Sequence, residues 1–96
     1  MAIRVLIEWK TSPGAEELLS ELLRKNRARL MGTKGYISGE TLRCLDDPST
    51  LVVVSTWSTL ADWEAWVTSR ERKEMQDKIE SLLGAPSVHR VYICGQ

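Results

Sequence analysis

The sequence predicts an α+β fold whose elements follow the order β-α-β-β-α-β. Three observations lead there. Residues 2–10 partly alternate apolar and polar side chains, as a half-buried strand does. Two further strand-like runs, 35–45 and 50–57, are joined by the turn sequence Asp46-Asp47-Pro48-Ser49, which makes them an antiparallel hairpin. Apolar residues recur at helical spacing before the hairpin, and again between it and a last apolar run at 87–94. This is the ferredoxin-like split βαβ order, an antiparallel sheet with helices on one face.

On the first strand Ile3, Val5, Ile7 and Trp9 point one way, and Arg4, Leu6, Glu8 and Lys10 the other. Ser12 suits the N-cap of the first helix and Pro13 its first position, with Glu16 and Glu17 favoured by the positive end of the helix. Leu19, Leu22, Leu23, Asn26 and Leu30 share one face, and Gly32 suits the terminus. After the hairpin, Thr59 with Asp62 predicts an N-cap. Leu60, Trp63 and Val67 form the centre of the following buried stripe, with Trp66 at its edge. A second helical piece can begin after Ser69, with Met75, Ile79, Leu82 and Leu83 inward, and Gly84 and Pro86 close it.

Ninety-six residues are expected to make one domain, 1–96. Thirteen basic and thirteen acidic residues cancel without a long block of either sign, which argues against nucleic acid or an anionic membrane as partner. No run has the length of a membrane span or the form of a signal peptide, so the expected location is the cytoplasm. Cys44 and Cys94 lack metal-ligand spacing and read as small apolar strand residues, a disulfide requiring neighbouring strands. With one His and no Cys-x-x-Cys, no metal site is expected. Leu51-Val52-Val53-Val54 is apolar on both faces, yet helices cover only one face of the sheet. A homodimer with sheet packed on sheet is therefore expected.

Trp57, Trp63 and Trp66 fall within ten residues, where a strand gives way to a helix. Such a cluster fills a core or walls a pocket for a flat apolar ligand. Trp66, at the stripe edge, is the first candidate for function. Trp63 reads as core and Trp57 as support for the junction, and either is also a candidate ligand contact. Trp9 reads equally as dimer contact or pocket wall. Asn26 interrupts a leucine face, where a buried amide needs a partner: backbone, water or a ligand oxygen. His89, the only histidine, alternates with Val91 and Ile93; it is read as proton acceptor for a phenol or as a hydrogen-bonded sheet or dimer residue. Tyr36 and Tyr92 could each donate a hydrogen bond into a pocket. Arg70-Glu71-Arg72-Lys73-Glu74 reads as a solvated helix start, and Gly35 and Gly39 as strand distortions.

Four segments together span nearly the whole chain: Pro13-Gly14, Gly35-Tyr36, Asp47-Pro48, and Ser55-Thr56-Trp57 followed by Trp63, Trp66 and Ser69. In order and spacing they resemble the antibiotic biosynthesis monooxygenase family of dimeric α/β barrels. The resemblance implies a dimer with facing sheets and a pocket in each subunit between sheet and helices. It also implies oxygenation of polycyclic phenols or quinols without metal or flavin, so no cofactor is expected. Other members degrade haem. That branch has an Asn on the first strand, a Trp nine residues after the strand-end Trp, and a His ten residues further on. Here Trp57 and Trp66 keep the first spacing, but Gln76 stands at the His position and Ile7 at the Asn position. Glutamine is a poor iron ligand, which argues against haem degradation.

The leading expectation is a cofactor-independent monooxygenase acting on a flat aromatic phenol or quinol. Trp66, His89 and Asn26 are its catalytic candidates, and Tyr36, Trp57 and Trp63 its ligand-binding candidates. The rival is a non-catalytic module of the same fold that binds or senses a small apolar aromatic ligand. A third possibility is a dimer whose aromatics are all core.

Overall fold

A computed structural model describes residues 1–12, 14–84 and 86–95. The elements are β1 (Ile3–Lys10), α1 (Glu16–Leu30), β2 (Tyr36–Arg43), β3 (Thr50–Trp57), α2 (Leu60–Val67), α3 (Arg70–Leu83) and β4 (Val88–Ile93). The four strands form one antiparallel sheet in the order β2-β3-β1-β4. This is the ferredoxin-like arrangement, with the helices on one face.

Strand β1 sets the layering because it is central. Ile3, Val5, Ile7 and Trp9 are all buried against the helices, where Leu19, Leu23, Leu30, Trp63, Trp66, Met75 and Ile79 complete the core. Register carries that face across the sheet: Ile7 pairs with Val53 on one side and His89 on the other. The opposite face carries Leu6, Val52 and Val54, all half-buried, so β3 is apolar on both sides.

The second helical region is two helices, and the break is chemical. The Thr59 hydroxyl accepts from the Asp62 N–H at 3.1 Å to start α2, and the Ser69 hydroxyl accepts from the Arg72 N–H at 3.2 Å to start α3. Ser69 also donates to the Trp66 carbonyl at 2.6 Å, which ties the two helices together at the bend. Gly84 ends α3 in the left-handed region at φ 71°, where a side chain would be strained.

Several expectations need correction. Helix α1 starts at Glu16, with Ala15 at the N-cap and no side-chain cap; the Ser12 carbonyl accepts from the Ala15 N–H at 3.0 Å instead. The expected role of Pro13 lies outside the described residues. The terminator of α1 is not a left-handed Gly32. Met31 caps the helix in right-handed geometry, and the positive φ falls on Gly35, at 85°. A Cβ at Gly35 would also collide with the Asp62 side chain, so glycine is needed there twice over. Leu60 is 47% exposed rather than inward, because it is the first residue of α2 and precedes the turn that meets the sheet. Cys44 follows β2 and Cys94 follows β4, the two opposite edges of the sheet, and both thiols are free.

The β2–β3 turn is fixed by Asp47. Its carboxylate accepts from Lys10 Nζ at 2.7 Å, from the Thr50 hydroxyl at 2.8 Å and from the Ser49 hydroxyl at 2.5 Å. Lys10 first, then Ser49 and Thr50, hold this carboxyl far below its ordinary value of 3.8. A depressed folded value means stability that is present above 3.8 and lost as pH falls toward the folded value. Urea midpoints taken from neutral to acid pH should therefore fall more steeply for the native chain than for Asp47→Asn. Because the pair is solvent-exposed, the difference at neutral pH should be small and shrink with added salt. Parallel acid profiles for the two proteins would remove this role from Asp47.

Candidate functional site

The tryptophan cluster is positioned by the β3–α2 junction. Trp57, the last residue of β3, is wholly buried, and its indole N–H donates to the Ser55 hydroxyl at 3.1 Å. Its ring meets Tyr36 edge-on, with centroids 5.5 Å apart, and Trp63 in the same manner at 5.7 Å. The Thr59 cap fixes the phase of α2, so Trp63 and Trp66, three apart, both turn toward the sheet.

Behind these rings lies a cavity between sheet and helices. The sheet contributes Ile7, Trp9, Gly39, Thr41, Val53, Ser55 and Trp57, with Tyr36 at the start of β2. Helix α1 contributes Leu23, Asn26, Arg27 and Leu30, and α2 contributes Trp63 and Trp66. Helix α3 adds Arg72, Met75, Gln76 and Ile79. The space open to the centre of a water molecule is about 40 Å³. That is room for about three waters, so a larger ring must move side chains to enter.

Two polar atoms in this apolar setting are buried without a hydrogen-bond partner among the described residues: Trp9 Nε1 and Asn26 Oδ1. Each costs about 1–3 kcal/mol relative to a satisfied group. One is a donor and the other an acceptor, so together they match a ligand with an acceptor oxygen and a hydroxyl. Tyr36 adds a phenol whose hydroxyl lies where a Cβ at Gly39 would stand, so that glycine makes its place. Burial pushes the Tyr36 hydroxyl above its ordinary value, opposed by the charge of Arg27. It is thus a neutral hydrogen-bonding group at neutral pH, and not a base. Among the described residues no Asp, Glu, Lys or His lines the cavity; its formal charges are the two arginines.

A family model described as antibiotic biosynthesis monooxygenase matches residues 2–78. The chain belongs to the antibiotic biosynthesis monooxygenase family. Solved structures of similar fold include a conserved protein from Methanosarcina mazei Go1, at 18% identity and TM-score 0.88, covering 96% of this chain and 91% of that one. SnoaB from Streptomyces nogalater, described as a cofactor-independent oxygenase, is 14% identical with TM-score 0.86 and covers 99% and 94%. Rv0793 from Mycobacterium tuberculosis is 17% identical with TM-score 0.86 and covers 100% and 97%. At these identities the likeness is one of fold. No match was found among curated proteins.

In this family member the cavity gathers Asn26, Tyr36, Trp57, Trp63 and Trp66, five of the six residues singled out from the sequence. His89 is not with them. It lies on edge strand β4, whose residues are all exposed, and its ring meets Trp63 at 6.3 Å between centroids. It does point to the helix side of the sheet, but the helices do not extend over β4. Trp63 and Trp66 are both buried and both line the cavity, so the contrast expected between core and edge does not separate them. Ile7 and Gln76, at the positions where the haem-degrading pattern has Asn and His, line the cavity too. The Gln76 amide nitrogen donates to Glu80 at 3.1 Å and to Ser87.

Among the lining residues missed or left open are Arg72, Arg27 and Trp9. Arg72 reads as part of a solvated helix start, yet it is half-buried against the cavity. The signal was available: counting from the Ser69 cap, Arg72, Met75, Gln76 and Ile79 fall at i, i+3, i+4 and i+7, one helical face. Arg27 follows Asn26 on α1 and gave no such signal. Trp9 is a cavity wall, buried on the helix side.

Proposed function

We propose that this chain is a cofactor-independent monooxygenase acting on a flat, electron-rich phenol or quinol. The observation that carries the reading is the pair of unpartnered buried atoms, Trp9 Nε1 and Asn26 Oδ1, in a cavity walled by four tryptophans. The rings supply apolar, planar surface for an aromatic substrate. Asn26 accepts from a substrate hydroxyl, and the Trp9 N–H donates to an oxygen that gains negative charge. The anion passes an electron to dioxygen, and the two recombine on the ring. A phenol and dioxygen then give a quinone and water, one oxygen atom in each product, with every electron supplied by the substrate. Since among the described residues no carboxylate or imidazole lines the cavity, the proton leaves to water and the walls act by stabilising the anion. His89 has no proton-acceptor role in this reading.

The absence of a lining base also favours the second reading, a module that binds or senses an aromatic ligand without turnover. Anaerobic mixing with a panel of quinols, followed by oxygen-uptake measurements, separates the two. The oxygenase reading expects uptake matched by a hydroxyquinone that carries one atom of the dioxygen, with water and not hydrogen peroxide as the other product. Tight binding without uptake sinks it in favour of the module. Haem degradation is disfavoured, because Gln76 stands where that branch has its His and Gln is a poor iron ligand.

The reading takes residues 1–96 as one domain in a homodimer packed sheet on sheet. Leu6, Val52 and Val54 on the open face support it. A monomer in analytical ultracentrifugation at micromolar protein would defeat it. A cytoplasmic location completes the reading; among the described residues no helix is long and apolar enough to cross a membrane.

A further inference from the structure

We propose that Arg72 makes the cavity a receptor for an aromatic anion, its guanidinium meeting the charged oxygen of a flat ring acid. Three observations converge on it. Arg72 sits in the first turn of α3, three residues after the Ser69 cap. A cation there faces the positive end of the helix, the unfavourable end for its charge. Arg72 is half-buried and lines the cavity, and among the described residues its guanidinium has neither a hydrogen bond nor an ion pair. Burial pushes it below its ordinary value, and the charge of Glu80, two turns along α3, pulls it back up. Glu80 does not come within ion-pair distance, and its Oε1 accepts from Gln76 Nε2 and from the Ser87 N–H.

A residue that breaks a local rule without evident compensation in the protein points to a partner outside it. The rest of the lining agrees. Among the described residues no carboxylate lines the cavity, and the second cation, Arg27, already spends Nη2 on the Thr41 hydroxyl at 2.9 Å. Of the two lining cations, Arg72 is thus the one whose guanidinium has no hydrogen bond among the described residues. A planar guanidinium suits a carboxylate or phenolate, which it can hold through two parallel hydrogen bonds. The alternative is that the Arg72 stem merely covers Trp66 while its head reaches water. Charge selectivity tells the two apart.

The inference rests on the cavity being the ligand site, as in the function proposed above, but it does not require turnover. The test is isothermal titration calorimetry at neutral pH with 2-naphthoate and its neutral match 2-naphthamide. The acid should bind the native protein at least about tenfold more tightly than the amide. Arg72→Gln should reduce that preference to about twofold or less, Arg72→Lys should retain part of it, and Lys73→Gln should leave it intact. Arg72→Gln should melt at the native temperature or above, since it removes a cation from the positive end of α3. Equal binding of acid and amide, binding of neither, or an unchanged preference in Arg72→Gln overturns the proposal. So does a lowered melting temperature, which would make the guanidinium a packing group. Selective binding of the acid with no oxygen uptake on quinols would sink the oxygenase reading and leave this one standing.

Discussion

Replacing Trp57 with alanine should remove a large share of the protein's stability. The indole is wholly buried at the end of β3, and edge contacts join it to Tyr36 on one side and Trp63 on the other. Truncating a buried tryptophan costs about 3–5 kcal/mol through lost burial and the void left behind. The Ser55 hydroxyl, itself buried, would lose the donor it now accepts from, which adds to the cost. Domains have about 5–15 kcal/mol in total, so a loss of this size should be among the largest that a single substitution produces here. Urea unfolding followed by far-UV circular dichroism measures this without relying on tryptophan emission. Trp57→Phe is the informative companion, because it keeps a ring between Tyr36 and Trp63 and removes only the N–H and some volume. It should cost about 1–3 kcal/mol. If Trp57→Ala unfolds within about 1 kcal/mol of the native chain, the ring is not the keystone of the junction.

That junction shows what a sequence of this kind makes legible. The Thr59 and Ser69 caps, the left-handed Gly84 and the limits of β3 are local events, set by a residue and its neighbours three or four places away. The burial of Ile3, Val5, Ile7 and Trp9 follows from a period of two. The cavity is a different kind of object. It forms where Trp9 of β1, Asn26 of α1 and Arg72 of α3 converge, and no spacing along the chain encodes that meeting. Asn26 stood out only because it interrupts a leucine face. His89 shows the limit from the other side. Alternation placed it on the helix side of its strand, but how far two helices extend across four strands depends on sheet order and helix position. The order β2-β3-β1-β4 leaves β4 at an edge that the helices do not cover.

Asn26→Leu should make the protein more stable and less able to handle its ligand. Among the described residues the Asn26 Oδ1 atom is buried without a partner, a burden of about 1–3 kcal/mol. Leucine has the same number and branching of side-chain heavy atoms, prefers a helix interior and continues the face of Leu19, Leu23 and Leu30. The gain should be about 1–2 kcal/mol. For a domain of this length each kcal/mol moves the melting temperature by about 4–8 °C, which calorimetry resolves easily. The same substitution removes the acceptor proposed to hold the substrate hydroxyl. Oxygen uptake per unit quinol should then fall about a hundredfold, the loss seen when a positioned polar group is deleted from a dry site. The two readouts constrain each other. If Asn26→Leu melts lower, the amide has a structural partner and its interruption of the leucine face is architectural. If it melts higher while uptake is unchanged, the amide is neither structural nor a ligand contact. A higher melting temperature together with lost uptake fits a residue kept at the expense of stability because the ligand, and not the fold, satisfies it.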